Sequence, residues 1–583
     1  MQEILENKPG KKTILLGNEA IVRGALESGV NFVSTYPGTP SSEIGNVFSQ
    51  IAKKAGVYFE FSTNEKVALE AGIGASFSGL KVLVAMKNFG LNVCVESLIP
   101  LCYTGIKGPF VLLVADDPSC WSSAQSEENS RAFAYLAHIP ILEPSEPQEC
   151  KDFIKLAFEI SKSFKIPVMV RTTTRVAHQS APVVLEKITS PGLVVGRLVK
   201  NPEQFSTMPP RTLRMHRELL SKIEKIKEFS EKSKINIIKN QTGQTGSDPG
   251  LTPKGTPKGI GVITSGISYL YVMEALKELN LDLPVLKLGF FYPLPEKKIK
   301  NFIKKLNKIL IIEELEPYLE KEIERLAKSS NPRLQIFGKS HLSEIGELKP
   351  ENVISAIAQI AKKKIKIDFK KHLRKFQELP LEKRYPQLCS AEVAPPGCPY
   401  WLVFSAIKKA APKNTVFGGD IGCYMIAANP PHFLQDYLFS MGSSIGIAHG
   451  IRKSLRLSSR QAAEQKVIAL IGDSTFFHAG IPALINTVFN KSNPLIIILD
   501  NRTTAMTGHQ PHPGMGKTGM GEETEEIKIE NIVQAVGVKN LKVIDPQNFE
   551  KMVSTIKEFL EKKEVSVIIA RRICALLAKR FKK

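Results

Sequence analysis

Two stretches near the end of the chain carry residue types that suit a metal ion. A Gly-Asp-Ser turn with Asp473 at its centre follows the apolar run 467–471, and Asn501 follows the apolar run 494–499, 28 residues after Asp473. Short apolar runs are typical of buried strands, and ligands of parallel α/β sheets bind where the strands end. If the two strands are neighbours, Asp473 and Asn501 converge. Their carboxylate and amide oxygens, with a backbone carbonyl, suit Mg²⁺, which also takes phosphate oxygens as ligands.

The turn around Asp473 also suits a phosphate. Gly472 is expected to allow the tight turn, and the helix predicted to begin near Ser474 would offer free N–H groups to an anion. An ordinary crossover between parallel strands gives the same pattern of polar loop ends. Asp473 and Asn501 therefore need support from elsewhere in the chain.

A glutamate far upstream gives that support. Glu65 follows the short predicted strand 57–63 and opens a helix rich in small residues, "EKVALEAGIGASFSG", which permits close packing against a cofactor. Glu70 is the competing acid, but it lies deeper in the same helix. Taken by itself, Glu65 is also explained by the helix dipole, which favours an acid at a helix start.

The elements that must position these residues indicate an α/β fold with several domains. From Ile14 to about Pro182, apolar strands alternate with helical patterns, which predicts parallel sheets with helices on both faces. The pattern recurs later, and two such sheets facing each other would form a cleft for a cofactor. We predict a first α/β domain over 1–185, a helical and flexible linker over 186–258, a smaller α/β domain over 259–362, a basic linker over 363–390 and a third α/β domain over 391–583.

The composition predicts a soluble, cytoplasmic protein. The chain has 583 residues, enough for three or four domains of about 150 residues. Its polar start does not resemble a signal peptide, and no apolar run reaches the roughly 18 residues of a membrane span. The net charge is +22, but the lysines are scattered over helical stretches without a nucleic-acid-binding signature. We expect solvated helix faces to explain most of this charge, an acidic protein or anionic cofactor to come second and nucleic acid third; no nucleic-acid or membrane partner is predicted.

The cysteines predict no metal cluster within the chain. None of them forms a Cys-x-x-Cys pair; they are Cys94, Cys102, Cys120, Cys150, Cys389, Cys398, Cys423 and Cys574. Zinc fingers and iron–sulfur clusters need close sets of thiolates, and disulfides are rare in large cytosolic proteins. Most of these thiols are expected to be buried or idle.

Taken together, the motifs resemble those of thiamine diphosphate enzymes. The Gly-Asp start and the distant Asn501 are similar to the diphosphate–magnesium motif, in which Ser474 replaces the usual third glycine. Glu65 is similar to the glutamate that hydrogen-bonds the aminopyrimidine ring and so promotes removal of the C2 proton of the thiazolium. Longer stretches resemble the alpha (large) subunit of indolepyruvate:ferredoxin oxidoreductase, in the thiamine diphosphate-dependent 2-oxoacid:ferredoxin oxidoreductase superfamily. These stretches are "STYPGTPSSEI", "MKNFGLNV", "VADDPS", "GDIGCY", "MGSSIGIAHG" and "GDSTFFHAGIPALINTVFNKSNPLIIILDNRTTAMTGHQPHPG".

The resemblance implies a thiamine diphosphate-binding fold and a reaction. Domain 1–185 would bind the pyrimidine, 259–362 would resemble the C-terminal domain of transketolase, and 391–583 would bind the diphosphate. The implied reaction is oxidative decarboxylation of an aryl 2-oxoacid, such as indolepyruvate or phenylpyruvate, to an aryl-acetyl-CoA, CO₂ and reduced ferredoxin. The implied partners are a small (beta) subunit, ferredoxin or a separate iron–sulfur protein, CoA and the 2-oxoacid.

The resemblance also implies site residues. Glu65 would be catalytic, and Thr39 would lie near the substrate carboxylate. The implied cofactor-binding residues are Gly422, Cys423, Met441, Gly442, Gly472, Asp473, Ser474 and Asn501, and the implied Mg²⁺ ligands are Asp473, Asn501 and the backbone carbonyl of Thr503. For the "MGSSIG" loop, a glycine-rich helix start without a ligand is the alternative.

The chain departs from the family pattern at positions that concern electron transfer. Pro395 and Tyr400 replace the first cysteine and the histidine of a Cys-Pro-Gly-Cys-Pro-His motif, and Asn88 stands where a histidine is expected. We expect the C-terminal ferredoxin-like domain of the family to be absent and the iron–sulfur clusters to lie elsewhere in the complex. The alternatives are a non-oxidative thiamine diphosphate-dependent 2-oxoacid decarboxylase that releases an aldehyde, and a paralogue that binds the cofactor without turnover.

Overall fold

The chain divides into two compact units. The computed structural model describes residues 3–190, 196–239, 259–369, 398–458 and 464–581. One unit contains Met1–Phe59 and Glu65–Leu379, and the other contains Glu60–Asn64 and Pro380–Lys583. Both are built from helices and mainly parallel sheets, so the predicted α/β fold is confirmed. The predicted division into domains stays a prediction. None of the helices in these ranges is both long and apolar enough to cross a membrane.

The described part of the first unit has two sheets and a two-stranded ribbon. Its strands are β1 Lys12–Leu16, β2 Phe32–Thr35, β3 Tyr58–Phe61, β4 Val82–Lys87, β5 Phe110–Asp116, β6 Ile141–Leu142, β7 Val168–Thr173, β8 Ser180–Val184, β9 Ile237–Lys239, β10 Ile260–Ser265, β11 Val285–Leu288, β12 Phe290–Tyr292, β13 Lys308–Ile312 and β14 Gln335–Phe337. Its helices are α1 Gly17–Glu27, α2 Ser42–Ala55, α3 Glu65–Phe77, α4 Asn88–Thr104, α5 Ala132–Ala137, α6 Pro147–Phe164, α7 Thr174–Ala177, α8 Pro202–Phe205, α9 Arg211–Lys232, α10 Ser268–Glu278, α11 Glu296–Ile303, α12 Tyr318–Ser330 and α13 Pro350–Ile360.

A seven-stranded sheet positions the first set of candidate residues. Its order is β12-β6-β7-β5-β4-β2-β3, and β2, β4, β5, β6 and β7 run parallel. Every residue of β5 is buried, as expected for a parallel strand covered on both faces. Because they run parallel, β2, β4 and β5 end at one edge of the sheet, at Thr35, Lys87 and Asp116.

Strand β1 differs from the sequence expectation of a strand in the parallel sheet. The strand is present, but it pairs antiparallel with β8 outside that sheet. Its residues alternate between exposed and buried, which suits a ribbon with one solvated face. Helix α1 begins at Gly17, directly after Leu16.

The second sheet of this unit has the order β14-β13-β10-β11-β9 and is parallel except for β9. The apolar stretch 284–295 divides at Gly289, so that β11 joins this sheet and β12 joins the seven-stranded one. Asn236 Oδ1 fixes the bend by accepting hydrogen bonds from the backbone N–H groups of Gly289 and Phe290, at 2.9 and 3.0 Å. A Cβ at Gly289 would lie 2.8 Å from Ile235, which excludes a larger residue.

The two predicted linkers are only partly described. Residues 186–258 include α9, which accounts for the charged helical run, and they also contribute β9 to the second sheet. The Gly-, Thr- and Pro-rich stretch 240–258 and residues 370–390 of the basic linker lie outside the described residues.

The described part of the second unit has a five-stranded parallel sheet with the order β15-β16-β17-β19-β18. Its strands are β15 Val416–Gly418, β16 Val467–Gly472, β17 Leu495–Asp500, β18 Asn540–Ile544 and β19 Ser566–Arg571. Its helices are α14 Pro399–Ala410, α15 Ser443–Ser458, α16 Asp473–Thr475, α17 Ile481–Phe489, α18 Ile529–Ala535, α19 Phe549–Leu560 and α20 Ala575–Phe581. A π-helical turn, Phe476–Gly480, joins α16 to α17.

Helices cover both faces of this sheet. Ile468 and Leu470 of β16 belong to a hydrophobic cluster with α14 and α19, whereas Val467 and Ala469 belong to a cluster with α15, α17 and α18. Successive side chains of a strand point to opposite faces of its sheet. The two clusters are therefore the cores on the two faces, and the ends of the strands are left for a ligand.

Candidate active site

The second unit brings Asp473 and Asn501 to one edge of its sheet. β16 and β17 are adjacent and parallel, with Gly472 opposite Leu499. Asp473 is 2% exposed and Asn501 is 5% exposed. The predicted convergence of these side chains requires the two strands to be neighbours, and in the structure they are.

Hydrogen bonds hold the two loops that follow these strands. Thr504 Oγ1 donates to Ser474 Oγ at 2.9 Å, from one loop to the other. The backbone N–H of Ser474 donates to Asp473 Oδ1 at 2.8 Å. In the second loop, the backbone N–H of Thr503 donates to Asn501 Oδ1 at 3.1 Å. These hydrogen bonds fix the candidate metal ligands locally. The spacing of residues along the chain did not predict the contribution of Thr504.

His512 is a further residue that sequence reasoning missed. Its Nε2 lies 3.0 Å from Asp473 Oδ2, and both side chains are buried. The backbone N–H of Gly514 donates to His512 Nδ1 at 3.1 Å. In the neutral imidazole the proton is therefore on Nε2, which donates to Asp473. A carboxylate held in this way keeps its other lone pairs in a fixed direction for a cation.

Tyr424 explains two of the glycines among the candidate residues. A Cβ at Gly422 would lie 2.4 Å from Cε1 of the Tyr424 ring, and a Cβ at Gly472 would lie 2.7 Å from the same atom. Gly472 has φ −83° and ψ 163°, which any residue adopts. The expectation that Gly472 is needed for a tight turn is therefore wrong, because the close aromatic ring is what excludes a side chain. Cys423 begins the 3₁₀ turn Cys423–Ala428 that carries this ring.

Asp420 positions the loop that contains Met441 and Gly442. Its carboxylate accepts hydrogen bonds from the backbone N–H groups of Gly442 and Ser444, at 2.7 and 2.9 Å. Gly442 has φ +89°, in the left-handed region that favours glycine. Burial raises the pKa of Asp420 to about 6, although these hydrogen bonds act to lower it. The loop therefore enters α15 from a fixed conformation, through a buried anchor that sequence patterns do not single out.

Negative charge accumulates at this edge of the sheet. Burial and the neighbouring charge of Asp473 raise the pKa of Asp500 to about 6, although Arg571, whose Nε lies 2.6 Å from Asp500 Oδ2, acts to lower it. Among the residues that the structure describes, no three His, Cys, Asp or Glu side chains form a metal site by themselves. A cation would instead take Asp473, Asn501 and the carbonyl of Thr503, together with phosphate or water oxygens. That donor set fits Mg²⁺.

In the first unit, Glu65 is buried and Glu70 is exposed. Glu65 opens α3 and is 7% exposed. A Cβ at Gly90 of α4 would lie 2.6 Å from Glu65 Cγ, so the two helices approach closely at this carboxylate. The side chain of Glu70 is 47% exposed and accepts a hydrogen bond from Ser97 Oγ at 2.7 Å. Burial and close packing favour Glu65 over Glu70 for a contact with a cofactor.

Thr39 lies in the loop that follows β2, at the edge where β4 and β5 also end. Its Oγ1 lies 3.3 Å from Ser42 Oγ. Its backbone oxygen accepts a hydrogen bond from Ser122 Oγ at 3.2 Å. The loop is thus tied to the segment that follows β5, while the Thr39 side chain stays at the surface of the edge.

The positions that depart from the family pattern have different surroundings. Asn88 is fully buried at the start of α4, where its Nδ2 donates to the backbone oxygen of Glu128 at 3.3 Å. Its Oδ1 has no hydrogen-bond partner within the described ranges. Tyr400 is a core residue whose OH donates to the backbone oxygen of Leu499 at 3.4 Å. Pro395 lies outside those ranges, and the cysteines within them are free thiols.

Family models match three stretches of the chain. Residues 23–261 match pyruvate flavodoxin/ferredoxin oxidoreductase, thiamine diphosphate-binding, and residues 252–379 match the indolepyruvate oxidoreductase domain. Residues 420–570 match the thiamine pyrophosphate enzyme, C-terminal TPP-binding domain. Thiamine diphosphate-binding models therefore cover Glu65 in the first unit and Asp473 and Asn501 in the second.

Curated relatives match nearly the whole chain. The indolepyruvate oxidoreductase subunit IorA of Methanothermobacter marburgensis is 43% identical over 99% of this chain and 89% of that protein. The subunit IorA of Pyrococcus horikoshii is 42% identical over 98% of this chain and 87% of that protein. Among solved structures, the 2-oxoglutarate:ferredoxin oxidoreductase from Magnetococcus marinus is 16% identical over 60% of this chain and 65% of that chain, with a TM-score of 0.47. The near-complete coverage by the curated relatives is the relation expected within one family.

Proposed function

Because the chain belongs to the family of the indolepyruvate oxidoreductase subunit IorA, we propose that it is the large subunit of a thiamine diphosphate-dependent 2-oxoacid:ferredoxin oxidoreductase. Its substrates are aryl 2-oxoacids such as indolepyruvate and phenylpyruvate, and its products are an aryl-acetyl-CoA, CO₂ and reduced ferredoxin. The observation that carries the proposal is the parallel register of β16 and β17, which brings Asp473 and Asn501 to one edge. The buried Glu65 at a helix start supports it independently.

The residues of the chain have separate roles in this reaction. Asp473, Asn501 and the carbonyl of Thr503 hold Mg²⁺ at the diphosphate, and Glu65 hydrogen-bonds the aminopyrimidine ring. When bound, thiamine diphosphate supplies the nucleophilic carbon for the keto group and the electron sink for the loss of CO₂. Thr39 contacts the substrate near its carboxylate.

The remaining cofactor-binding positions surround the ring and the diphosphate. They are Gly422, Cys423, Met441, Gly442, Gly472 and Ser474. We assign pyrimidine binding to domain 1–185 and diphosphate binding to domain 391–583, with a transketolase C-terminal-like domain over 259–362. The Tyr424 ring, which leaves no room for a Cβ at Gly422 or Gly472, and the positive φ of Gly442 support glycine at these three positions.

A second subunit and an electron acceptor belong to the proposal. The name of the relatives, a subunit, supports assembly with a small (beta) subunit. Oxidation of the fragment left after CO₂ loss would release two electrons, and iron–sulfur clusters of another protein, such as ferredoxin, would accept them. The net charge of +22 would favour docking of an acidic ferredoxin. Since CoA and ferredoxin are used in the cytoplasm, we place the protein there.

The products of the holoenzyme test this function. The protein, co-expressed with its beta subunit and loaded with thiamine diphosphate and Mg²⁺, is incubated with indolepyruvate and a viologen dye, with and without CoA. We expect CoA-dependent dye reduction and formation of an aryl-acetyl-CoA. Aldehyde formation without CoA or dye reduction would replace the proposal with a non-oxidative decarboxylase, and faster turnover of pyruvate or 2-oxoglutarate would contradict the aryl preference.

A further inference from the structure

Lys87 lies where the elements that carry Thr39 and Glu65 meet. It is the last residue of β4 and directly precedes α4. Its stem packs on the Thr39 loop, since a Cβ at Gly38 would lie 2.9 Å from Lys87 Cβ and 3.4 Å from Lys87 Cδ. The first turn of α4 also carries Gly90, against which Glu65 Cγ packs. Lys87 therefore adjoins both the loop that carries Thr39 and the start of the helix against which Glu65 packs.

The ammonium group of Lys87 has donors to spare. Nζ donates to the backbone oxygen of Ser122 at 3.1 Å. Ser122 Oγ in turn shares its proton between the backbone oxygen of Thr39 at 3.2 Å and Asp117 Oδ2 at 3.1 Å. An ammonium has three N–H donors, so Ser122 leaves two of them for a ligand. Ser122 also links the ammonium directly to the Thr39 loop.

The buried lysines Lys151 and Lys287 of this unit are paired with carboxylates, whereas the half-buried Lys87 is not. Lys151 Nζ lies 3.2 Å from Glu27 Oε2, and Lys287 Nζ forms an ion pair with Glu149. In the described part of the chain, no carboxylate forms an ion pair with Lys87: Nζ donates to a carbonyl and lies 4.9 Å from the centre of the Phe89 ring, while Asp117 and Glu65 act on it without an ion-pair contact. A partly desolvated cation that no carboxylate contacts is incompletely compensated, so the site gains from an incoming anion.

The protonation equilibrium of Lys87 agrees with this geometry. Burial lowers the pKa of Lys87 to about 8, although acidic groups that include Asp117 and Glu65 act to raise it. The acidic groups therefore do not fully offset the loss of hydration. A ligand carboxylate that accepts hydrogen bonds from Nζ would supply the missing compensation.

We propose that Lys87 binds the carboxylate of the 2-oxoacid substrate and holds it beside Thr39. This inference rests on the proposed function and adds a substrate-binding residue to it. The carboxylate is recognised as an anion, by charge-assisted hydrogen bonds from Nζ. The phosphates of CoA are the other anions of the reaction, and the experiment separates the two.

The binding test uses ligands that differ in charge and variants that differ at one lysine. Lys87→Met removes the charge and keeps the length of the side chain, and Lys66→Met does the same at an exposed lysine that pairs with Glu96. The ligands are 3-phenylpropionate and 3-phenylpropionamide, with dissociation constants measured calorimetrically on holoenzyme loaded with thiamine diphosphate and Mg²⁺. We expect wild type and Lys66→Met to bind the acid about 10- to 100-fold more tightly than the amide. Lys87→Met should bind the two equally, and Lys87→Arg should keep part of the preference.

Steady-state kinetics provide the second measurement. In Lys87→Met the KM for indolepyruvate should rise by a similar factor, while the KM for CoA and the affinity for thiamine diphosphate stay unchanged. A rise confined to the KM for CoA would assign Lys87 to a CoA phosphate and overturn the proposal. An acid–amide preference that survives in Lys87→Met, or loss of thiamine diphosphate binding in that variant, would also overturn it. Failure of the proposed function has a different signature, namely wild-type holoenzyme without turnover, and the binding comparison decides the role of Lys87 in that case too.

Discussion

The carboxyl edges of the two parallel sheets are built differently. In the second unit, the candidate ligand Asp473 is held by His512, and the loops around it are linked by Thr504. In the first unit, Lys87 has no carboxylate partner and Asn88 Oδ1 no hydrogen-bond partner within the described ranges. A cofactor gains affinity from ligands fixed in advance, whereas a substrate needs groups with unused hydrogen-bonding capacity. The contrast agrees with our proposal that the second unit holds the diphosphate and that the first unit, besides contacting the pyrimidine, contacts the substrate.

Replacing the buried glutamate of the first unit should have the largest effect. Glu65→Gln keeps the volume beside Gly90 but removes the acid–base group, so kcat should fall about 100- to 10,000-fold while thiamine diphosphate still binds. Hydrogen–deuterium exchange at C2 of the bound cofactor, followed by NMR, should slow in parallel. Glu70→Gln changes an exposed acid of the same helix and should stay within about 2-fold of wild type. Equal losses in both variants would contradict the role of Glu65.

The second-largest effect should come from removing the charge of Asp473. It should weaken the binding of Mg²⁺ and not act on the chemical step itself. Asp473→Asn takes away the only carboxylate of the proposed ligand set, so Mg²⁺ affinity in the presence of thiamine diphosphate should fall about 100- to 1,000-fold. Titration calorimetry measures this, and chelation of Mg²⁺ from wild type should release the cofactor in the same way. Asp545→Asn, at an exposed carboxylate paired with Arg572, is the matched control. Unchanged Mg²⁺ affinity in Asp473→Asn would break the assignment of the metal site.

His512 tests whether the support of Asp473 matters. His512→Leu removes the donor to Asp473 and should weaken Mg²⁺ binding about 10- to 100-fold. His512→Gln can still donate an N–H and should recover most of the loss. His509→Leu, in the same loop but facing Cys574, should behave like wild type. If Leu and Gln at position 512 weaken binding equally, the histidine serves only to fill space.

Asp420 should make the stability of the second unit depend on pH. Its pKa is raised to about 6 from an ordinary value of 3.8, so the folded state keeps a proton that the unfolded state loses first. The free energy of unfolding should therefore fall, by about 2 kcal/mol, as pH rises from about 4 to 6. Asp420→Asn should flatten this part of the curve, which thermal unfolding at several pH values measures. A residual slope from Asp500, whose pKa is also raised to about 6, should persist, and an unchanged total slope would contradict the burial argument.

The sequence predicted the candidate ligands at the strand ends, but not the residues that hold them in place. The apolar runs of β16 and β17, each with a polar end, are local patterns, and neighbouring parallel strands then place Asp473 and Asn501 at one edge. His512 comes from a loop 39 residues after Asp473, and their contact depends on how that loop folds. Glycine is likewise required at position 472 because the Tyr424 ring, from a segment that follows another strand, lies too close for a side chain. The sequence alone suggested a tight turn as the cause.

Breaking the hydrogen bond between Thr504 and Ser474 should have the smallest effect. It tests most directly whether the loops at the edge of the second unit are fixed before the cofactor binds. Ser474 stands where the thiamine diphosphate motif has glycine, so this bond between the loops depends on the departure of this chain from the motif. Thr504→Val removes the donor at nearly constant volume, and Ser474→Gly removes the acceptor. Each should weaken binding of thiamine diphosphate with Mg²⁺ about 2- to 10-fold, the net value of one neutral hydrogen bond.

The double variant decides whether this bond fixes the loops. Because Thr504→Val and Ser474→Gly break the same interaction, the double variant should bind the cofactor no more weakly than either single variant. Thr518→Val loses the hydrogen bond that Thr518 Oγ1 accepts from the backbone N–H of Glu522, and this variant should bind like wild type. If the two effects add instead, the loops are not held by this contact. The order of this edge would then depend on other contacts, such as those of His512 and Asp420, and the contrast with the edge of the first unit would be smaller.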